Sequence, residues 1–261
     1  MHGALHVAKT GLSAQDTNLK IISNNLANVS TVGFKKDRAV FEDLLYQIRR
    51  QPGAQNAEDT QLPSGLQVGN GARLVSTQKM FQTGEMQVTD NSFDLAIGGA
   101  GFFQVLLPNG ETGYTRNGQF HLGPEGQLVT AEGFPLLPEI NVPQDAIEVS
   151  IGSDGTVQAV VAGQVELDDL GQIELANFIN PQGLQASGAN IFIETAASGA
   201  PQVVIAGEEG TGFINQGWVE GSNVNAVEEL VNMITTQRAY EINSKVISTA
   251  DQMLSFATQQ L

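Results

Sequence analysis

Apolar residues near the N-terminus recur with the seven-residue period that is typical of a helix packed along one seam. The two positions of this repeat hold Leu5, Leu12, Leu19 and Leu26, and Ala8, Gln15, Ile22 and Val29. The repeat then meets a polar stretch, ISNNLANVSTVGFKK at 22–36, in which residues 30–33 do not favour continued helix. We therefore expect an N-terminal helical segment within residues 1–45, with its tip marked by Asn24, Asn25 and Asn28.

A second apolar stripe runs along residues 219–261. Its members lie at three- and four-residue steps: Val227, Val231, Ile234, Ile242, Val246, Ala250, Met253 and Ala257. Asn225, followed three residues later by Glu228, forms a capping-box pattern that starts a helix near Ala226. Such a narrow stripe needs another helix as cover. We therefore expect the C-terminal helix to pair with the N-terminal one.

The middle of the chain, residues 68–218, alternates turn signals with short β-prone runs. Asn-Gly and Asp-Gly pairs in PNGE, RNGQ and SDGT separate runs such as GFFQV and IEVSI, which indicates hairpins and an all-β domain. Residues 46–67 contain two prolines and two glycines, which favours an extended connector. The predicted fold class is α+β: long terminal helices packed as a coiled-coil-like pair, with an extended connector and an inserted all-β domain.

The charge and composition of the chain exclude some functional classes. The net charge is −16, and no Lys or Arg occurs between Asn117 and Gln237. A nucleic-acid ligand is therefore not expected, because binding phosphates requires clustered cations. The chain has no cysteine, which excludes disulfides and thiolate chemistry. Its N-terminus shows no pattern of a cleaved signal peptide.

Candidate chemistry is sparse. His2 and His6 are spaced by one helical turn, as metal ligands can be, but no carboxylate lies near them in sequence. His121 stands alone, so a Ser-His-Asp arrangement is not indicated. The glycine-rich IGGAGF at 97–102 lies between strand-like runs rather than before a helix, as a phosphate-binding loop would require. We therefore expect no catalytic, cofactor-binding or metal site and no small-molecule substrate.

Terminal helices with apolar seams leave two possibilities open. The two helices of one subunit could cover each other in a self-contained monomer. Alternatively, identical neighbours could cover them, and a head-to-tail contact that does not close generates a helical filament.

Several segments carry a resemblance that bears on this choice. NNLANVSTVGFK at 24–35 resembles the N-terminal signature of the axial proteins of the bacterial flagellum, namely rod, hook and hook-associated proteins. The run EGSNVNAVEELVNMITTQRAYEINSKVISTADQML at 220–254 is similar to their C-terminal signature. GFFQV, YTRNGQF and NIFIETAASGAP resemble family segments in the same order. AVFEDLLYQIRRQPGAQ followed by LPSGLQVGNG resembles the segment that sets distal-rod subunits apart from the proximal rod proteins and the hook protein.

The resemblance implies a subunit of the distal rod, a rigid hollow shaft that transmits torque to the hook and conducts exported subunits. It implies location in the flagellar basal body across the periplasm, and export without a cleaved signal peptide. The implied partners are other copies of the chain, proximal rod proteins, the hook protein, the ring proteins of the peptidoglycan layer and outer membrane, and the export apparatus.

Two sets of residues follow as expected site residues. The expected assembly interface comprises Leu5, Leu12, Leu19, Leu26, Asn24, Asn25, Asn28, Gly33, Phe34, Val227, Val231, Ile234, Gln237, Arg238, Tyr240, Glu241, Ile242 and Val246. The expected rigidity segment contains Pro52, Gly53, Pro63 and Gly65. The competing interpretations are a β-rich cell-wall or carbohydrate-active enzyme using Asp154, Asp168 or Asp169, an adhesin or tail-like fibre, and a hook-type axial protein.

Overall fold

The chain folds into two compact units. The computed structural model describes residues 2–52, 55–57, 60–61, 64–161 and 167–259. The first unit, here called the helical unit, comprises residues 1–27, 37–78 and 225–261; the second, the β unit, comprises residues 28–36 and 79–224. No helix among the described residues combines the length and hydropathy that a membrane span needs.

The helical unit contains both α-helices of the described chain and a long hairpin. Helix α1 spans His2–Ala27 and helix α2 spans Ala226–Gln259. The hairpin strands are β1 (Asp37–Asp43), β2 (Gln47–Arg50), β3 (Gln55–Ala57), β4 (Thr60–Gln61), β5 (Leu66–Val68) and β6 (Ala72–Lys79). Strand β1 pairs with β6, β2 with β5, and β3 with β4, so the ladders are nested.

The β unit contains sixteen strands in its described residues. They are β7 (Met86–Val88), β8 (Leu95–Gly98), β9 (Phe103–Leu106), β10 (Thr112–Thr115), β11 (Phe120–Leu122), β12 (Leu128–Thr130), β13 (Leu136–Leu137), β14 (Ala146–Ile151), β15 (Thr156–Val161), β16 (Asp168–Gln172), β17 (Glu174–Asn177), β18 (Gln185–Gly188), β19 (Ile191–Ile193), β20 (Gln202–Ile205), β21 (Phe213–Gln216) and β22 (Trp218–Glu220). The largest sheet has the order β13-β9-β10-β19-β18, and a second has the order β14-β15-β16.

A well-packed hydrophobic core lies in the β unit. Alternation along β15 turns Val157 and Ala159 inward, where both are fully buried. A neighbouring aromatic cluster is formed by edge-to-face ring contacts among Phe81, Phe102, Tyr114, Phe178 and Phe192. The β unit therefore has the apolar interior of an independent folding unit.

Burial in the helical unit is much sparser. On α1 the buried apolar residues are Ala8, Ala14 and Ile22, and on α2 the buried residues of the described part are Glu229, Thr236 and Ala250. The side chains between the two helices are thus mostly small or polar. This unit buries little of the apolar surface that its helices carry.

These observations correct the predicted fold class. The α+β prediction of a coiled-coil-like helix pair, an extended connector and one inserted all-β domain is wrong. The predicted heptad leucines of α1 are only half-buried, and the predicted stripe of α2 is mostly exposed. Residues 46–67 contain paired strands rather than an extended connector. Strand structure is extensive and is shared between both units, because the 37–78 hairpin belongs with the helices.

Candidate assembly interface

Most large apolar side chains of α2 face solvent, although Ala250 of the predicted stripe is buried. Val227 is 70% exposed, Val231 54%, Ile242 64% and Phe256 63%. Further large apolar side chains on the same helix, Leu230, Ile234, Val246 and Met253, are between 44% and 52% exposed. Single exposed apolar residues are ordinary, but a continuous stripe along a long helix marks an interaction surface.

The face of α2 that contacts α1 is a different one. Asn25 Nδ2 of α1 donates a hydrogen bond to Glu229 Oε2 at 3.3 Å, and Asn18 Nδ2 donates to Thr236 Oγ1 at 3.2 Å. Gly11 lies so near Asn243 that an added Cβ would be 3.1 Å from the amide nitrogen. These contacts are made by polar side chains and a glycine, while the large apolar side chains of the stripe are exposed.

Asn25 has a second role at the end of α1. Its Nδ2 donates to the carbonyl oxygen of Asp37 at 2.9 Å, and its Oδ1 accepts from the backbone N–H of Asp37 at 2.9 Å. Asn25 is 2% exposed, and Asp37 is half-buried. This reciprocal pair fixes the start of β1 against the end of α1.

The 37–78 hairpin also displays apolar side chains. Leu45 is 90% exposed, Ile48 58%, and Tyr46 and Leu66 are both 53% exposed. A two-stranded hairpin is marginally stable alone, and edge strands are a general site of pairing with another chain. The hairpin is therefore a second surface in this unit with exposed apolar side chains.

The predicted rigidity residues lie in this hairpin. Pro52 is exposed at a turn after β2, and Gly65 is half-buried before β5. A Cβ at Gly65 would meet the carbonyl oxygen of Arg50 at 2.5 Å, so the close approach of the two strands requires glycine here. Gly53 and Pro63 lie outside the described residues.

A buried ion cluster joins four segments of the β unit. Lys35 Nζ donates to Glu220 Oε1 at 2.6 Å, and Arg116 Nη1 donates to Glu220 Oε2 at 3.3 Å. The backbone N–H of Gly84 donates to the same carboxylate at 2.8 Å. Lys35, Arg116 and Glu220 are between 1% and 3% exposed. The carboxylate of Glu220, in the last strand, thus binds Lys35, Gly84 and Arg116, which belong to three other segments.

Desolvation opposes the cationic forms in this cluster. Burial lowers the pKa of Lys35 below its usual value, with Arg116 adding to the decrease and Glu220 opposing it. Burial also lowers the pKa of Arg116, against the influence of Glu220. Two cations share one carboxylate, so Glu220 is the group on which both depend.

Gly33 and Phe34 lie beside this cluster rather than on an open surface. Both are buried within the β unit. Gly33 has φ of +71°, and a Cβ there would approach the backbone carbonyl carbon of Arg116 to 2.7 Å. Its N–H donates to the backbone carbonyl oxygen of Glu220 at 2.7 Å. Glycine is required by both the conformation and the packing.

The remaining predicted interface residues are spread over the helical unit and its boundary. On α1, Leu5, Leu12, Leu19 and Leu26 are half-buried and Asn24 is exposed, while Asn28 follows the helix in a half-buried turn. On α2, Gln237, Arg238, Tyr240 and Glu241 are exposed. The hydrogen bond that Asn25 makes to α2 goes to Glu229, two turns before that group. Their part in assembly stays a prediction.

Sequence reasoning missed the cluster of Lys35, Arg116 and Glu220. Each of the three lies inside a segment that carries the family resemblance: NNLANVSTVGFK, YTRNGQF and the start of EGSNVN. The available sequence signal was Arg116, a lone cation in a strand-rich, acidic region. Nothing in the linear sequence pairs it with a particular carboxylate.

The residues considered for chemistry are spread over both units. Asp154 caps its turn by accepting bonds from the side chain and backbone of Thr156, which lower its pKa. Asp168 and Asp169 begin β16 at the surface. His6 lines a cavity of about 780 Å³ in the helical unit together with Glu42, Asp43 and Arg73. Within the described residues, no group of three His, Asp or Glu side chains is placed to hold a metal.

Three family models match separate parts of the chain. The model described as flagella basal body rod protein matches residues 5–35. The flagellar hook protein FlgE/F/G D1 domain matches residues 96–159. The flagellar basal body rod FlgEFG protein C-terminal model matches residues 215–260. The first and last matches cover most of α1 and α2 together with residues of the ion cluster.

Relatives match along nearly the whole length. The chain is 56% identical to the flagellar basal-body rod protein FlgG of Buchnera aphidicola subsp. Schizaphis graminum, over 98% of each chain. It is 49% identical to FlgG of Caulobacter vibrioides, over 99% of this chain and 98% of the relative. It is 38% identical to FlgG of Bacillus subtilis, over 96% of each.

Proposed function

Because the chain belongs to the FlgG family of flagellar basal-body rod proteins, we propose that it is a structural subunit of the distal rod. Identical copies polymerise into a rigid hollow shaft that transmits torque to the hook and conducts exported subunits. The role is mechanical, and no catalytic step is part of it.

The exposed apolar stripe of α2 is the observation that carries this proposal. Fully burying one Val, Leu or Ile side chain contributes roughly 1.5–3 kcal/mol. The stripe is supplied by residues such as Val231 and Ile242, which are more than half exposed in the single chain. A neighbouring copy that covered the stripe would gain this free energy at several positions. A non-closing contact repeated in this way produces a filament.

The helical unit is the part of the subunit that we assign to the tube. It has few buried apolar side chains of its own, so its helices gain most from neighbours. The hairpin, with Leu45, Ile48 and Leu66 exposed, stiffens the tube by packing against an adjacent copy. The rigidity segment belongs to this hairpin.

The β unit contributes an acidic surface to the subunit. Residues 28–36 and 79–224 contain four Lys or Arg and 18 Asp or Glu, and two of the four cations are buried with Glu220. Its surface is therefore almost purely acidic, which favours solubility and opposes nonspecific sticking. The proposed partners are proximal rod proteins, the hook protein, ring proteins of the periplasm and outer membrane, and the export apparatus.

The proposal is tested by placing charge on the stripe. Val231→Glu combined with Ile242→Glu should leave the fold of the monomer intact, because both side chains already face solvent. Tube formation at high protein concentration should be lost, or its critical concentration raised at least about tenfold, because a buried carboxylate replaces apolar contact. Electron microscopy and sedimentation measure the outcome.

A matched variant, Ser244→Glu combined with Ser248→Glu, adds the same charge to an exposed face of α2 away from the stripe. It should assemble like the unmodified chain. Tubes that form equally well with glutamate at 231 and 242 would contradict the proposed interface.

A further inference from the structure

The contacts between α1 and α2 repeat every seven residues on both helices. Asn25 meets Glu229, Asn18 meets Thr236, and Gly11 lies against Asn243. Each step of seven back along α1 corresponds to a step of seven forward along α2. The helices are therefore antiparallel in one register, and these three contacts are here called the polar ladder.

Three of the six ladder residues are buried, while Asn18, Gly11 and Asn243 are half-buried. Asn25 is 2% exposed, Glu229 4% and Thr236 5%. A buried polar group that loses its partner is costly, whereas an apolar group accepts any apolar neighbour of suitable size. Hydrogen-bonded polar positions between helices therefore specify register more strictly than leucines do.

The individual contacts of the polar ladder oppose different register shifts of α2 along α1. Moving α2 by three or four residues would turn it on its axis, separate Asn18 from Thr236, and bring Val246 and Met253 of the apolar stripe toward α1. Moving it by seven residues would place Asn243 opposite Asn18 instead of Gly11. A side chain at Gly11 would press on Asn243, because even a Cβ there would stand 3.1 Å from its amide nitrogen.

We propose that the polar ladder determines which face of α2 pairs with α1 inside the subunit, and so reserves the apolar stripe for a second copy of the chain. Asn18, Thr236, Glu229, Gly11 and Asn243 act as specificity-determining residues for the helix pair. They reject the alternative pairing that the more apolar face would otherwise favour. The register itself is a property of the single chain; its consequence for assembly rests on the proposed rod function.

The register is measurable in dilute, monomeric protein. The chain has no cysteine, so Ser13→Cys and Ser248→Cys on exposed positions of the two helices accept one spin label each. A heptad slip moves α2 by about 10 Å and a slip of three or four residues by about 5 Å. Pulsed electron resonance should give one narrow distance distribution when the ladder is intact.

Replacing the ladder by leucine tests the role. The variant carries Asn18→Leu, Glu229→Leu, Thr236→Leu and Asn243→Leu, and it keeps Asn25, whose bonds to Asp37 fix the start of β1. Helical content should be unchanged, while a second population, displaced by about 5–10 Å, should rise to at least about a tenth of the molecules. A distance distribution identical to that of the unmodified chain would overturn the proposal.

A matched control adds four leucines on exposed positions away from the seam, again removing one carboxylate: Ser23→Leu, Gln237→Leu, Ser244→Leu and Asp251→Leu. It should keep the single distance. If the ladder variant does not fold, Gly11→Leu provides the second test, because it forces Asn243 away while leaving both hydrogen-bonded rungs in place; an unshifted distance there would also count against the ladder.

The two proposals fail in different ways. If the labelled ladder variant loses its register and the unmodified chain forms no tubes, the result would support the ladder and contradict the rod function. A single register in the ladder variant, with normal tubes from the unmodified chain, would do the reverse. Spin-label distances are measured on monomers, whereas tubes are detected by electron microscopy. Neither measurement therefore depends on the other.

Discussion

Glu220 is the residue on which most of the β unit's long-range polar contacts converge. Its carboxylate accepts from Lys35, Arg116 and the N–H of Gly84, and its backbone oxygen accepts from Gly33. The partners lie far apart in sequence, so these bonds form only once the unit is assembled. The cluster carries two positive charges and one negative charge.

This charge balance predicts unequal effects of substitution. Glu220→Gln leaves Lys35 and Arg116 buried without a counter-charge and should lower the free energy of unfolding by about 3–5 kcal/mol. Lys35→Met should cost less, because Glu220 keeps Arg116 and Gly84, and the carbonyl of Gln82 still accepts from Asn223. Urea unfolding followed by the fluorescence of Trp218, the single tryptophan, measures both.

The exposed Glu132→Gln serves as the control, with an expected change within about 0.5 kcal/mol. Equal losses for Glu220→Gln and Lys35→Met would show that the carboxylate is not the shared partner.

The lowered pKa of Lys35 predicts a pH dependence with a defined sign. Between that lowered pKa and the usual value of 10.5, the unfolded chain binds the proton that the folded chain has lost. The free energy of unfolding therefore rises with pH in this window. Between about pH 7 and about pH 10, the unmodified chain should gain stability relative to Lys35→Met. A difference that shrinks as the pH rises would contradict the assignment.

At the scale of elements, the hairpin of 37–78 differs most from the sequence-based prediction, which was an extended connector over residues 46–67. Among its described residues, several large apolar side chains, such as Leu45 and Ile48, are exposed. Paired strands are stiffer than an extended connector, because the ladder hydrogen bonds hold the two segments in register. This stiffness is the physical basis for assigning it to rod rigidity.

Deleting residues 47–67 should therefore soften assembled tubes into bendable, hook-like filaments. The deletion removes β2, β3 and β4 and most of β5, and with them the apolar contacts proposed between neighbours. Persistence length measured from electron micrographs tests this, with a Gly/Ser segment of equal length as the control for simple chain continuity. Filaments as straight as those of the unmodified chain would rule out the hairpin as the stiffening element.

At the scale of the whole molecule, the two units differ in how they are stabilised. The β unit holds a large buried core, whereas the helical unit exposes most of its large apolar side chains. The chain leaves and re-enters the β unit at one point, since the N–H of Met80 donates to the carbonyl oxygen of Lys36 at 2.9 Å. The hairpin thus begins and ends next to two residues, Lys36 and Met80, that are neighbours in space.

The β unit should accordingly fold alone. A variant of residues 28–36 joined by a short glycine linker to 79–224 should unfold cooperatively and stay monomeric at concentrations where the full chain forms tubes. Calorimetry and sedimentation test this. A linked β unit that unfolds without a cooperative transition, or that itself polymerises, would contradict the division of labour between the units.

Local patterns located both helices: apolar periodicity indicated the helical segments, and the capping box of Asn225 and Glu228 indicated the start of α2. The prediction placed the C-terminal helix start near Ala226, where α2 begins, and the turn signals correctly indicated many short strands. The family and the rod function also followed from linear motifs, and the comparisons confirm them.

The choice of contact faces was decided only by the tertiary structure. An apolar stripe says that a helix needs a partner but not which partner, so the stripe of α2 was assigned to α1, while α1 contacts Glu229 and Thr236 instead. The pairing of β2 with β5, and of Lys35 and Arg116 with Glu220, likewise joins residues distant in sequence. Local patterns encode period and turn chemistry, whereas desolvation, register and ion pairing depend on what the folded chain brings together.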